Sequence, residues 1–287
     1  MALKISTLDF SEDFKKRLLR EEENFALEGS RLHFNEKNKK GFTVFEIYFS
    51  DKIDERSLKE KMASLVAELV IENLEEELLV KIINSYSEFN YREKEVIKSL
   101  SVKHLNPEKD EQFTKIIRKR EIISQILGYF EDNEVLNIEG FVRFRLQSYL
   151  NDLRFAVQKA VDDFNIEKEY NEFIDLLRYF VELQEPHFGK VNVLKSKEEN
   201  DSFVLLDSDL EKIEDEHLDK CLQELTEDRE EIHFEDLLIS ALVNISPAEI
   251  ILHFEDSQVT ETLRSIFQDK VRVCPGCDLC HLYCTEK

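Results

Sequence analysis

Residues 136–186 read LNIEGFVRFRLQSYLNDLRFAVQKAVDDFNIEKEYNEFIDLLRYFVELQEP, and this stretch decides the fold. Its apolar side chains recur in steps of three and four, which places them on one face of an α-helix. The first stripe comprises Ile138, Val142, Leu146, Leu150, Leu153, Val157, Val161 and Phe164; the second comprises Tyr170, Phe173, Ile174, Leu177, Phe180 and Val181. Pro186 ends the second helix because its ring cannot continue one. We therefore predict two long amphipathic helices that fold back as an antiparallel pair.

The flanking segments favour small mixed lobes around this helical middle. Residues 1–52 combine alternating strand patterns with one helix, whereas residues 54–133 return to the helical period. After Pro186, short strands alternate with short helices, and the hairpins of the two lobes could join one sheet. The prediction is a predominantly helical α+β fold with a central helical bundle, divided into segments 1–52, 53–188 and 189–287.

Composition narrows the range of partners. The chain has 287 residues, a formal net charge of −23, six Gly and four Pro. Residues 198–236 hold seventeen Asp and Glu residues against three Lys and Arg residues, a local charge of −14. Nucleic acids and anionic membranes would repel such a chain, so a protein partner is the expectation. No apolar run approaches the ~18 residues of a membrane span, and the N-terminus lacks a signal-peptide pattern, which predicts a cytoplasmic protein.

The C-terminal run VCPGCDLCHLYCTEK carries the only compact chemical signal. It contains Cys274, Cys277, Cys280 and Cys284, with His281 among them. Two C-x-x-C steps share a middle cysteine, so several thiols can reach one side of a tight turn. Thiolates and imidazole are ligands that zinc prefers.

Several interpretations of this cluster stay open. The spacing is compressed for a zinc site and also matches one run of a bacterial iron–sulfur ferredoxin, although no second run exists. A C-x-x-C-H haem attachment would need export, and free thiols are the simplest alternative in a reducing compartment. The other candidate ligand is Cys221, four residues after His217. We interpret the scattered histidines His33, His104, His187, His233 and His253 as ordinary surface or core residues.

Two groups of basic residues could contact an anion or an acidic partner. One is a patch on a predicted helix, formed by Lys115, Arg118, Lys119 and Arg120; the other is Arg143 and Arg145, which flank Phe144. The alternatives are a solvated helix face for the first group, and arginine stems that cover apolar surface for the second. No aromatic interleaving accompanies the patch, which disfavours nucleic-acid binding.

Three segments carry a resemblance to a known family: EGFVRFRLQSYLNDL, KEYNEFIDLLRYFVELQEP and VRVCPGCDLC. Through them the chain resembles the YtxC-like family of sporulation proteins from endospore-forming bacteria. The resemblance extends over most of the chain. It implies a cytosolic, sporulation-associated protein of unassigned biochemistry, and it brings no catalytic residues to these positions. Cys284 lies beyond the C-x-x-C-x-x-C core of this resemblance.

Motifs of common enzymes do not occur: the sequence has no P-loop, no dinucleotide-binding G-x-G-x-x-G and no G-x-S-x-G elbow. We therefore predict a non-enzymatic interaction or regulatory protein that presents its acidic C-terminal lobe to a partner. The alternative is a zinc, iron–sulfur or thiol redox protein that uses the C-terminal cysteines.

Overall fold

The computed structural model describes residues 2–27, 32–39, 41–49, 55–107, 110–195, 203–213 and 234–283. By its internal contacts the chain divides into two units, residues 1–166 and 167–287. Each unit contains a four-stranded sheet and a buried apolar core of its own. The predominantly helical α+β class is confirmed. The division into three segments stays a prediction about folding units.

The first unit packs helices against a mixed sheet. Its elements are β1 (Ala2–Thr7), α1 (Ser11–Leu27), β2 (Leu32–Lys39), β3 (Phe42–Phe49), α2 (Glu55–Leu69), a π-helical turn (Val70–Leu74), α3 (Glu75–Ile83), α4 (Tyr91–Leu105), α5 (Glu111–Asp132), β4 (Val135–Asn137), α6 (Ile138–Arg145) and the beginning of α7 (Gln147–Leu183). The strand order is β2-β3-β1-β4. The predicted hairpin of β2 and β3 is confirmed, and β4 joins β1 in parallel.

Strand alternation explains how this sheet faces its core. Leu3 and Ile5 of β1 and Phe45 of β3 are fully buried, because every second side chain of a strand points to the same face. Phe14 of α1 packs edge to face on Phe45, with ring centroids 5.3 Å apart. The predicted buried face of the sheet is therefore confirmed.

The predicted antiparallel helix pair is wrong. Residues 147–183 form one continuous helix, α7, and the expected connection at 165–169 lies within it. That stretch, NIEKE, contains neither Gly nor Pro, so its backbone gives no reason for the helix to stop. The stop before Pro186 is confirmed, since α7 ends at Leu183.

The first apolar stripe is buried as predicted, although two helices share it. α6 ends at Arg145, and Leu146 leaves the helical region with φ −91° and ψ 50° before α7 begins. Leu146, Leu153 and Val157 are nevertheless buried in the core of the first unit. The periodicity therefore identified the buried face correctly but did not reveal the break.

The second unit contains three parallel strands and one antiparallel edge strand. Its elements are the end of α7, β5 (Phe188–Lys195), β6 (Phe203–Leu206), α8 (Phe234–Ile245), β7 (Pro247–Leu252), α9 (Ser257–Phe267), a 3₁₀ turn (Gln268–Lys270), β8 (Val271–Val273) and α10 (Asp278–Tyr283). The strand order is β6-β5-β7-β8, with β6 antiparallel to β5 and the other pairs parallel. The expectation that both hairpins join one sheet is wrong, because they belong to separate sheets.

Some predictions fall outside the described residues. Residues 214–233, which hold His217, Cys221, His233 and much of the acidic stretch, are among these, and so is Cys284. Among the helices that are described, none has the length and apolar character needed to cross a bilayer.

Candidate metal centre

The sheet of the second unit brings two strand ends together. β7 and β8 are parallel neighbours, with Leu252 opposite Val273, so their carboxyl ends lie at the same edge. His253 directly follows β7, and its backbone N–H donates to the carbonyl of Val193 at 2.9 Å. Cys274 directly follows β8, and its N–H donates to the carbonyl of Leu252 at 2.8 Å. Backbone hydrogen bonds therefore hold both residues in place.

The loop after β8 carries the next two cysteines to the same edge. Gly276 has φ +121°, a conformation that residues with a side chain rarely adopt, and it turns the chain between Cys274 and Cys277. The N–H of Cys280 donates to the carbonyl of Cys277 at 3.0 Å, which closes the turn into α10. The three cysteines are free thiols and are half-buried.

The side chains of His253 and the three cysteines converge on one point. Nδ1 of His253 lies 3.4 Å from the sulfur atoms of both Cys277 and Cys280. The Cys280 sulfur lies 3.8 Å from the Cys277 sulfur and 3.7 Å from the Cys274 sulfur. All four ligand atoms lie within 4.8 Å of one another. We call His253, Cys274, Cys277 and Cys280 the His–Cys cluster.

A buried asparagine orients the imidazole of this cluster. The Asn192 side-chain amide donates to the backbone carbonyl of Asp207 at 3.1 Å, so its NH₂ group faces Asp207 and its oxygen faces His253. That oxygen lies 3.1 Å from Nε2 of His253. Because the oxygen can only accept, Nε2 carries the hydrogen in the neutral ring. The lone pair of Nδ1 is then directed at the thiols.

Electrostatics favour the neutral imidazole and shift the pKa values of Cys277 and Cys280 in opposite directions. Burial, together with the positive charge of Lys190, lowers the pKa of His253. Burial and side-chain hydrogen bonds with Cys274 and Cys277 together raise the pKa of the Cys280 thiol to about 12. Burial also acts to raise the pKa of Cys277, but hydrogen bonds from Cys280 and Cys274 outweigh it and lower that pKa. Deprotonation of Cys277 is therefore favoured over deprotonation of Cys280.

The distances between the ligand atoms fit one tetrahedrally coordinated metal ion. A zinc ion with Zn–S bonds of about 2.3 Å separates its sulfur ligands by about 3.8 Å, and an imidazole nitrogen at about 2.0 Å lies about 3.5 Å from each sulfur. The observed sulfur–sulfur distances of 3.7 and 3.8 Å and nitrogen–sulfur distances of 3.4 Å match these values. Ligand atoms this close leave no room for a multi-iron cluster between them.

The structure combines part of the predicted ligand set with a residue that the sequence analysis missed. Cys274, Cys277 and Cys280 come together as expected, whereas the side chain of His281 and all of Cys284 lie outside the described residues. His253 was interpreted as an ordinary residue, and that interpretation overlooked its place in the cluster. A signal was available: His253 lies near the end of the strand-like run 249–254 and Cys274 follows the run 271–273, and parallel pairing would bring them together.

The basic patch on α5 is divided between interior and surface. Arg118 is buried, and its guanidinium donates to the Leu105 carbonyl at 2.8 Å, to Asn106 at 2.9 Å and to Glu75 at 3.2 Å. Lys119 forms a half-exposed ion pair with Glu68 at 2.6 Å. Arg118 therefore has internal partners and does not form part of an anion-binding surface. Arg120 is exposed.

Arg143 and Arg145 lie at the exposed end of α6. The Arg143 guanidinium lies 5.4 Å from the centroid of Phe144, and that of Arg145 lies 5.8 Å from the centroid of Tyr129. Phe144 itself is largely exposed. These contacts agree with the alternative in which the arginines cover aromatic surface.

Fold and cluster together define a predominantly helical α+β protein whose second unit gathers three cysteines and a histidine at the edge of a sheet. The chain belongs to the YtxC-like family, whose model matches residues 60–272. This range includes His253 and ends two residues before Cys274. The chain is also similar to the "Uncharacterized protein YtxC" of Bacillus subtilis (strain 168), with 24% identity over 220 residues, which cover 75% of this chain and 76% of the relative. No solved structure matches the chain.

Proposed function

We propose that this protein is a metal-binding protein that holds one zinc ion in the His–Cys cluster. The supporting observation is the agreement between four of the six ligand-atom separations and the edges of a zinc tetrahedron, with all four ligand atoms within 4.8 Å of one another. Three thiolates and one imidazole fill all four positions, which is typical of structural zinc sites. Catalytic zinc sites instead keep one position for water or substrate.

A structural zinc ion would tie the loop and short helix after β8 to the ends of β7 and β8. His253 and Cys274 belong to the ends of β7 and β8, and Cys277 and Cys280 belong to the loop and short helix that follow. β8 has only three residues and α10 only six. Such short elements gain little stability from their own hydrogen bonds. Binding of a shared ion would add stability to them, because metal binding contributes to the free energy of folding.

Elemental analysis tests the proposal directly. The full chain, purified anaerobically with a reductant and without chelator, should contain one zinc per chain. Cys277→Ser and His253→Ala should each lose most of it, whereas Cys221→Ser and Cys284→Ser, which remove cysteines outside the proposed ligand set, should retain it. A chain that arrives without metal and takes up no zinc would overturn the proposal in favour of free or redox-active thiols. Iron with acid-labile sulfide would overturn it in favour of an iron–sulfur protein.

We also propose, as a second part, a physiological role: a sporulation-associated function in the cytoplasm through a protein partner and not through catalysis, which is motivated by the resemblance to sporulation proteins and by the acidic C-terminal lobe. Its test is deletion of the gene in an endospore-forming host, with spore yield and the location of a fluorescent fusion as readouts. Unchanged spore yield, or a fusion found outside the cytoplasm, would contradict this part. Neither result bears on the zinc site.

A further inference from the structure

The second half of α7 carries two apolar faces. Ile174 and Val181 are buried in the core of the second unit. On another side of the same helix, large apolar residues are between 49% and 68% exposed: Phe173, Leu176, Tyr179, Phe180 and Leu183. At 100° per residue these five side chains span an arc of about 120°, so they form one stripe. We call them the α7 stripe.

The spacing within the stripe is that of a helix–helix seam. Phe173, Leu176, Phe180 and Leu183 follow one another in steps of three, four and three, which is the a/d pattern of a heptad. This period keeps an apolar edge directed at a neighbouring helix. A partner that is itself helical therefore fits the stripe.

The area of the stripe is close to what a dimer requires. At roughly 200 Å² for a large apolar side chain, five side chains that are about three-fifths exposed present on the order of 600 Å². A standard stable interface buries about 800 Å² on each partner, part of it from a polar rim. Self-association through one patch with twofold symmetry would cover the stripe of both copies at once.

The acidic residues next to the stripe indicate how two copies would be oriented. Glu169 lies four residues before Phe173, at a d position of the same heptad register. A parallel pair would place Glu169 opposite Glu169 of the second copy, with a repulsion that costs stability. An antiparallel pair centred near Arg178 places Leu176 opposite Phe180 of the second copy and separates the carboxylates. Arg178 does not obstruct this, since its Nε donates to the Ser265 carbonyl at 2.7 Å within its own unit.

We propose that the α7 stripe is a homodimer interface, in which the second halves of two α7 helices pack antiparallel. Each copy carries a formal charge of −23, so association works against a net repulsion. Added salt screens that repulsion, and the dimer should therefore tighten as ionic strength rises.

Analytical ultracentrifugation of the full chain tests this. The expected mass is twice 34.0 kDa. The dissociation constant should fall at least severalfold between about 50 and about 500 mM salt, because added salt screens the repulsion between the two copies. Leu176→Glu should give a monomer. Phe113→Glu, which changes a similarly exposed apolar residue on α5, is the matched control and should remain dimeric.

A charge-pair experiment distinguishes antiparallel from parallel helix packing, and its controls show whether each variant is folded. Leu176→Glu and Phe180→Lys should each be monomeric alone, and an equimolar mixture should form a heterodimer, because antiparallel packing sets Glu at 176 against Lys at 180. Unchanged circular dichroism and zinc content would show that each variant is folded. A wild-type mass of 34.0 kDa at all concentrations and salt levels, or a dimer that survives Leu176→Glu, would overturn the proposal. A mixture that stays monomeric would overturn the antiparallel arrangement.

Discussion

Asn192 of β5 and His253 after β7 are joined by a hydrogen bond of 3.1 Å between the amide oxygen and Nε2. Both side chains are at most 5% exposed. The pair connects the interior of the sheet with the proposed metal site, because the orientation of one amide sets which imidazole nitrogen carries the hydrogen and leaves the Nδ1 lone pair for the metal. Partners of this kind, which hold a ligand without touching the metal, are common at zinc sites.

Replacing Asn192 should weaken metal binding without removing a ligand. Asn192→Leu leaves Nε2–H without an acceptor and should lower zinc affinity by about 10- to 100-fold. Asn192→Asp keeps an acceptor and should retain most of the affinity, although it loses the donor to Asp207. Competition against a chromophoric chelator measures both.

Two results limit the interpretation of that experiment. Asn171→Leu, at an exposed position of α7, is the control and should bind zinc normally. Equal affinity for Asn192→Leu and the wild type would show that Asn192 does not position His253. Equal losses in Asn192→Leu and Asn192→Asp would assign the effect to the contact with Asp207.

Metal removal should act locally within the second unit. Chelation should release β8 and α10, because a strand of three residues and a helix of six have few hydrogen bonds of their own. Hydrogen exchange with mass spectrometry should show faster exchange in 271–283 and little change in β1 to β3. Uniform acceleration across both units, or none in 271–283, would contradict a structural role for the ion.

The buried ion pair of the first unit should matter more than its exposed neighbour. Arg118→Met leaves the Glu75 carboxylate buried beside Tyr149 without its cation, which should cost about 3–5 kcal/mol. Lys119→Met removes a half-exposed ion pair with Glu68 and should cost at most about 1 kcal/mol. Urea unfolding measures both changes.

A double variant tests whether the Arg118 effect arises from the stranded carboxylate. Adding Glu75→Gln to Arg118→Met should recover part of the loss, since the uncompensated charge is removed. Purely additive losses would instead assign the cost to packing of the arginine stem.

Acid should remove a stabilising contribution from the first sheet. Hydrogen bonds from Lys37, Tyr48 and Lys4 lower the pKa of Glu46 to about 2. A carboxyl whose pKa is lower in the folded state stabilises the fold fully above its ordinary value of 4.5, and this stabilisation disappears as pH falls through about 2. Glu46→Gln should therefore destabilise the protein at pH 7 and much less at pH 2.5.

The measurement is the urea midpoint of both proteins across this pH range. Glu23→Gln, which changes an exposed carboxylate of α1, is the control and should follow the wild type throughout. A Glu46→Gln effect that stays constant between pH 7 and pH 2.5 would contradict the lowered pKa.

Local sequence patterns were sufficient for most elements of the fold. The period of two predicted β1 and β3, and the period of three to four predicted the first buried stripe, across α6 and the first half of α7, because side-chain direction follows directly from backbone repeat. The second predicted stripe is only partly buried: Ile174 and Val181 lie in the core, whereas Tyr170, Phe173 and Phe180 are about half exposed. Pro186 marked the end of α7 for an equally local reason. The helix pair failed because a gap in the stripe near 165–169 was interpreted as a turn, although its residues have no preference against a helix.

The sequence by itself determined the α+β class, the buried stripe from Ile138 to Val161 and three of the four candidate ligands, since Cys274, Cys277 and Cys280 lie within seven consecutive residues. Only the tertiary structure brought in His253, 24 residues from Cys277, and Asn192, 61 residues from His253. Strand order β5-β7-β8 decided this, because parallel pairing places the ends of separate strands at one edge. Which strands become neighbours depends on burial across the whole sheet, and no single segment of the chain records it.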